Sequence, residues 1–165
     1  MPRGFAAIPM ALALMLIALA GCEPTRSAGP ALRSDLQLLA VNSGQIGPPR
    51  DSAIARVYKS ARQVPRNAGQ WLLSADAVDF SRVDWRRRDV VTVSLGRKPT
   101  SGYEVRIDRI VATDWGLDVY VTEFSPQPGQ PVAQVVTHPW AAALVYKSDN
   151  TVINNLYITR GASAG

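Results

Sequence analysis

Cysteine and histidine are almost missing from this chain, which has one residue of each among its 165. A single cysteine excludes a disulfide framework within one chain and excludes zinc sites built on cysteine pairs. A single histidine excludes a metal site with several imidazole ligands. The carboxylates are scattered, without a spacing that suggests a paired acid and base. We therefore expect no catalytic residues, no metal site and no cofactor, and we predict that the protein is not an enzyme.

The chain also lacks a large excess of charge of one sign, since 18 basic and 13 acidic side chains give a net charge of +5. Hydrophobic residues make up 47% of the chain, which excludes a disordered tail or a fibre. Removing residues 1–21 as a signal peptide, for the reasons below, leaves 144 of the 165 residues. That length predicts a single domain with one core.

The N-terminus has the layout of a secretory signal. Arg3 supplies a positive charge, and the apolar run over residues 5–20 is shorter than the roughly 20 residues that a bilayer span needs. Leu19-Ala20-Gly21-Cys22 resembles the bacterial lipobox, which implies cleavage before Cys22 and attachment of lipid to its sulfur. The alternative is an ordinary cleaved signal with an incidental cysteine. Because Glu23 follows, rather than the aspartate typical of inner-membrane retention, we expect the protein to face the periplasm from the outer membrane. In that compartment the positive charge does not indicate nucleic-acid binding.

The rest of the chain predicts a mainly β fold. Alternation of apolar and polar residues with period 2 over 89–95, 103–108 and 117–122 is typical of antiparallel strands with one buried and one wet face. Further strands are predicted over 36–41, 53–64, 132–137, 142–147 and 151–159, with a short helix near 68–75; for 53–64 the spacing also fits a helix. Short strands separated by regular turns predict an antiparallel β-sandwich or small barrel. The domain then spans residues 35–160, after a lipidated Cys22 and flexible tether (22–34) and before a tail (161–165).

Two stiff loops are the candidate partner-binding residues. The first is Lys98-Pro99-Thr100-Ser101-Gly102-Tyr103, in which proline fixes one torsion and glycine permits a positive φ. The second is His138-Pro139-Trp140. The simplest alternative for the first loop is a hairpin turn that binds nothing. Trp140 is interpreted either as an anchor in a partner's pocket or as a side chain folded back onto the core.

A basic cluster, Arg86-Arg87-Arg88, lies upstream of the first loop. It could meet anionic headgroups or an acidic partner. The interpretation we favour is a solvated strand edge, where such charges oppose pairing between sheets.

The segment over residues 78–147 resembles the C-terminal domain of the protease complex subunit PrcB family. The resemblance is carried by Val78-Asp79-Phe80, Val91-Thr92-Val93-Ser94-Leu95-Gly96, Lys98-Pro99-Thr100-Ser101-Gly102-Tyr103, Pro128-Gly129, Gln134-Val135-Val136-Thr137, Pro139 and Tyr146-Lys147. Its most specific piece is the Pro-Thr-x-Gly-Tyr turn, and the family usually has glycine where this chain has Ser101. The resemblance implies a non-catalytic accessory subunit of a protease, often carried on a bacterial lipoprotein.

A fainter likeness is to chagasin-type inhibitors of papain-like peptidases, which carry Asn-Pro-Thr-Thr-Gly-Tyr and Arg-Pro-Trp on two loops of an immunoglobulin-like sandwich. This chain departs from that pattern at Lys98, Ser101 and His138. We therefore predict a membrane-anchored lipoprotein whose β domain binds another envelope protein, with an envelope protease as the expected partner. Inhibition of a papain-type peptidase is the alternative.

Overall fold

Two four-stranded β-sheets make up the computed structural model, which describes residues 33–66 and 82–162. The predicted signal peptide, Cys22, the helix near 68–75 and all of the tether except residues 33–34 lie outside the described residues, as do residues 163–165 of the predicted tail. Within these ranges no helix is long and apolar enough to cross a membrane. The strands are β1 (Ser34–Leu36), β2 (Leu38–Gly44), β3 (Ile54–Tyr58), β4 (Arg88–Ser94), β5 (Glu104–Thr113), β6 (Gly116–Ser125), β7 (Trp140–Tyr146) and β8 (Ile153–Ala162), with one short 3₁₀ helix (Ala61–Gln63).

The strand order confirms the predicted sandwich. The first sheet has the order β1-β5-β6-β8, and the second has the order β2-β7-β4-β3. Neighbouring strands are antiparallel with one exception, because β8 runs parallel to β6. The first apolar run, predicted as one strand over 36–41, is divided at Gln37, so that β1 joins the first sheet and β2 the second.

Apolar side chains from the inner faces of both sheets form the main core, as the alternation predicts. On β5 and β6 the alternation is confirmed, since Val105, Ile107, Val119 and Val121 are all buried. On β5 the buried positions are Val105 and Ile107 and then Ile110, so the spacing changes from two residues to three. A register shift between Ile107 and Arg109 accommodates the extra residue and keeps β5 paired with β6. The core cluster comprises Val91, Val93, Leu95, Val105, Ile107, Ile110, Leu117, Val119, Val121, Ala141, Ala143 and Val145.

The outer face of the second sheet is also buried, and here the expectation of one wet face is wrong. On β4, the outward-facing Val90, Thr92 and Ser94 are buried, as are their inward-facing neighbours. A second cluster covers this face, formed by Tyr58, Val90, Trp140 and Ala142 with Val64, Val83, Trp85 and Leu144 packed against it. The chain before and after the undescribed segment therefore acts as a third layer over this sheet.

One strand prediction is wrong, and two predicted boundaries move. Residues 132–137 are not a strand, and only Thr137 and His138 make isolated β-bridges there. Prolines before and after this segment lack the N–H groups that a regular ladder needs. The predicted tail begins inside β8, which continues to Ala162, and the predicted tether overlaps β1 at Ser34.

Candidate binding site formed by three loops

Three loops meet at one end of the sandwich. They connect β2 to β3 (residues 45–53), β4 to β5 (residues 95–103) and β6 to β7 (residues 126–139). The second and third contain the two loops predicted as binding residues. We call the outer face of these residues the three-loop surface.

Backbone pairing holds the second and third loops together. Lys98 and Thr137 exchange both of their backbone hydrogen bonds, at 2.9 and 3.0 Å, and so form a small antiparallel bridge. The Thr137 hydroxyl donates a further bond of 2.8 Å to the carbonyl of Thr100. Thr137 itself is buried, so these bonds are shielded from competing water. The two loops that sequence analysis singled out are therefore in direct contact.

Ser101 and Gly102 extend this contact along the third loop. Ser101 donates its N–H to the Ala133 carbonyl at 3.0 Å, and its hydroxyl oxygen accepts the Ala133 N–H at 2.9 Å. Gly102 has a φ of +86°, and a β-carbon on it would lie 3.1 Å from a methyl of Val132. Positive φ and close packing together explain why glycine occupies this position. Where the resembling family usually has a second glycine, the Ser101 hydroxyl supplies a hydrogen bond to the neighbouring loop.

The first loop is attached through His138 and Gln45. Gly47 donates to the His138 carbonyl at 2.8 Å, His138 donates to the Gln45 carbonyl at 2.9 Å, and the Gln45 side chain accepts the Gly102 N–H at 3.2 Å. A β-carbon on Gly47 would lie 2.6 Å from the His138 carbonyl oxygen, so this close approach also needs glycine. His138 thus fixes the loop through its backbone, and its ring Nδ1 accepts the Arg50 N–H at 3.4 Å.

Lys98 is committed to an internal ion pair. Its ammonium lies 2.5 Å from a carboxylate oxygen of Glu123 on β6 and 5.4 Å from the centre of the Tyr103 ring. The Lys98 and Glu123 side chains are only 19% and 16% exposed. The lysine therefore contributes to the rigidity of the loop, together with the partly buried Tyr103.

Trp140 and Pro139 do not belong to the surface. Both side chains are fully buried, and Trp140 packs in the second core cluster. Of the two interpretations given for Trp140, the side chain folded onto the core is the one that the structure shows; the exposed anchor is wrong. The reason is geometric, because residue 140 begins β7 on the face that the second cluster covers.

The exposed apolar side chains of this surface are ones that sequence analysis missed. Ile46 is 78% exposed, Val135 53% and Val136 50%. Beside them, Pro99 and Val136 line an open depression together with Asp51 and Arg97. The sequence does contain a signal that could have found them. Ile46 lies between Gly44 and Gly47-Pro48-Pro49, and Val135 and Val136 lie between Pro131 and Pro139. Apolar residues in such Gly- and Pro-bounded loops have no regular strand face on which to be buried. The predicted residues hold the loops together, and these neighbours face solvent.

The basic cluster is not at a strand edge, so the interpretation that we favoured for it is wrong. Arg88 begins β4, which lies between β7 and β3 in the interior of the second sheet. The Arg88 guanidinium stacks 4.5 Å over the Tyr146 ring, while the Arg87 side chain is 83% exposed and 3.9 Å from Asp84. Arg87 and Arg88 therefore have different surroundings, one in solvent and one stacked on a ring.

Comparison with known families agrees with the resemblance noted above. Residues 90–145 match the family model described as PrcB C-terminal. The match extends from β4 to β7 and contains the whole second and third loops. Searches among curated proteins and among solved structures found no match.

Proposed function

We propose that this chain is a non-catalytic subunit associated with a protease complex. The premise is the match of residues 90–145 to the PrcB C-terminal family model. The match supports that class of protein. For this chain we assign the binding contact to the three-loop surface, with an envelope protease or another envelope protein as the partner.

The observation that carries this assignment is the combination of rigid loops and outward apolar side chains. The bridge between Lys98 and Thr137 and the paired bonds between Ser101 and Ala133 fix the backbone. Side chains held in one place lose little conformational entropy on binding, so a preformed surface binds more tightly than a mobile one. Ile46, Val135 and Val136 then offer apolar area that a partner can bury.

A matched pair of valine substitutions tests this surface. Val136→Glu places a charge on the three-loop surface, whereas Val152→Glu places the same charge just before β8, at the opposite end of the sandwich, on a side chain of similar exposure (50% and 56%). We expect Val136→Glu to reduce recovery of a crosslinked protease at least tenfold, since burying an unpaired carboxylate is costly. Val152→Glu is expected to match the unsubstituted chain.

The assay is crosslinking in intact cells, followed by mass spectrometry of the captured proteins. Both variants must retain the thermal unfolding midpoint of the parent. Equal recovery of the protease with both variants would remove the three-loop surface from the assignment. Recovery of envelope proteins that include no protease would instead contradict the proposed class of partner.

Membrane anchoring through Cys22 is part of the proposal and rests on the lipobox resemblance. Cys22→Ser removes the sulfur that would carry the lipid. We expect the substituted protein to move from the membrane fraction to the soluble periplasmic fraction, because two or more acyl chains are needed for stable anchoring. Fractionation with immunoblotting measures this, and a Cys22→Ser protein that has lost residues 1–21 and still remains in the membrane would contradict lipid anchoring.

Peptidase inhibition remains the second candidate because the two loops that resemble the chagasin-type loops do lie side by side. The burial of Trp140 weighs against it, since the tryptophan of the second loop is not available to contact a peptidase. Titration of the purified domain against a papain-like peptidase distinguishes the two. We expect no inhibition at micromolar protein.

A further inference from the structure

Among the described strands, β8 is an outer edge of the first sheet. It pairs with β6 on one side, and it is the last strand in the order β1-β5-β6-β8. Side chains on both of its faces are solvent-accessible, with Tyr157 43% and Ile158 40% exposed. A strand edge with free N–H and C=O groups is a template for pairing with another strand.

The outer face of this sheet carries a ladder of stacked side chains that ends at β8. The Arg109 guanidinium of β5 lies 4.2 Å from the Tyr120 ring centre of β6. The Tyr120 and Tyr157 rings are 4.6 Å apart and nearly parallel, at 14°. Among the described residues the ladder stops there. The far face of the Tyr157 ring therefore points beyond the sheet edge, where the next strand would lie.

The sequence and register of β8 itself lack the features that usually protect an edge. Its sequence from Ile153 to Ala162 contains one charged residue, Arg160, and no lysine or proline. Its one register irregularity, between Leu117 and Asp118 of β6, falls at its beginning, so that the strand is regular from Asn155 onward. Natural edges that must stay single are shortened, charged or bulged. A regular edge without these features is suited to a partner strand.

We propose that the partner is β8 of a second copy of this chain, paired antiparallel about a two-fold axis at Tyr157. The residues on either side of Tyr157 are complementary in this register. Leu156 is opposite Ile158 of the second copy on the inner face, and Asn155 is opposite Thr159 on the outer face. The two Tyr157 side chains are directly opposed and extend the stacked ladder across the axis.

Charge also favours self-pairing in this register. Arg160, the only charged residue of β8, is opposite Asn154 of the second copy, so the two arginines do not meet. Within its own sheet, Arg160 lies opposite Glu123 of β6 in the strand register. The dimer unites two four-stranded sheets into one sheet of eight strands and leaves the three-loop surface uncovered at the ends of the strands.

Cysteine substitution tests both the interface and its register. The chain without its predicted signal peptide, residues 22–165 with Cys22→Ser, carries either Tyr157→Cys or Ile158→Cys as its only thiol. Directly opposed residues of antiparallel strands have Cβ atoms about 5 Å apart, close to disulfide distance. We expect Tyr157→Cys to become mostly disulfide-linked dimer on mild oxidation and Ile158→Cys to remain mostly monomer. Equal crosslinking of both, or crosslinking of Ile158→Cys alone, would overturn the register.

Mass measurement in solution is the second test. By analytical ultracentrifugation at tens of micromolar protein, the Cys22→Ser chain is expected to sediment as a dimer and its Tyr157→Lys derivative as a monomer with unchanged circular dichroism. A monomeric Cys22→Ser chain would overturn the proposal. Val136→Glu in the same background is expected to stay dimeric, so that loss of protease binding and loss of dimerisation are separate results.

Discussion

Replacing Asp89 by asparagine is expected to lower the free energy of unfolding by about 3–5 kcal/mol, the range for breaking one side of a buried ion pair. Asp89 is 1% exposed, and its two carboxylate oxygens lie 2.9 Å from the ammonium groups of Lys59 and Lys147. The backbone N–H of Ser148 donates to it at 3.0 Å. Asparagine removes the negative charge that compensates both ammonium groups.

The same lysines hold several chain segments by backbone carbonyls. Lys147 donates to the carbonyls of Lys59 and Trp85, at 2.9 and 3.0 Å, and Lys59 donates to the carbonyls of Ser148 and Asn150. Asp89 thus joins the end of β3, the segment before β4 and the turn after β7. Loss of its charge is expected to loosen all three segments together.

Urea denaturation of Asp89→Asn and Asp84→Asn measures the effect against a matched control. The Asp84 side chain is 55% exposed, and its carboxylate is 3.9 Å from the Arg87 guanidinium. This long, exposed ion pair is screened by solvent. The control is expected to change stability by less than about 1 kcal/mol. Similar midpoints for the two variants would show that the buried carboxylate is dispensable for stability.

Trp140→Ala is expected to have the other large effect, also a loss of about 3–5 kcal/mol, as for other buried tryptophans. Trp140 is 2% exposed and forms the base of the first loop. A β-carbon at Gly44 would lie 2.7 Å from its Nε1, and one at Gly47 would lie 3.0 Å from its Cδ1. The indole therefore fills the space that these glycines leave, and alanine would leave a cavity beneath the three-loop surface.

Trp115→Ala is the natural control, because this tryptophan lies in the tight turn between β5 and β6 and is 81% exposed. Its replacement is expected to change stability by no more than about 0.5 kcal/mol. Trp140→Ala is also expected to weaken partner binding at temperatures where the domain is still folded. Partner binding by folded Trp140→Ala at the level of the parent would contradict the link between this core and the surface.

Sequence periodicity predicted most of the strands, but it wrongly predicted one over 132–137 and did not show which strands are neighbours in a sheet. β5 and β6 follow from alternation, because each has one face on the core and the other face more exposed. Periodicity carries no information about which strands pair, so the parallel position of β8 beside β6 could not be foreseen. The same applies to β4, whose polar outward positions Thr92 and Ser94 are covered by chain that is distant in sequence.

At the binding site, sequence predicted the location more accurately than the roles. The glycine and proline residues of the two loops indicated a constrained end of the sandwich, and the bridge between Lys98 and Thr137 joins them there. Burial depends on the three-dimensional path of the chain, so sequence could not show that Trp140 turns inward while Ile46 and Val136 face out. The contact with a partner stays a prediction for the exposed Pro99 and for the half-buried Thr100 and Tyr103.

The parallel pairing of β8 has a consequence for the order of folding. β6 and β8 are neighbours in space, yet the chain between them passes through the opposite sheet as β7. Such a crossover is slow to form, because the entropy of closing a long loop is lost before the stabilising contacts between the two strands are made. β8 is also the last of the eight strands to be synthesised. Until β8 pairs with β6, that edge of β6 is unpaired. The new chain is expected to be most vulnerable to aggregation or proteolysis in that interval.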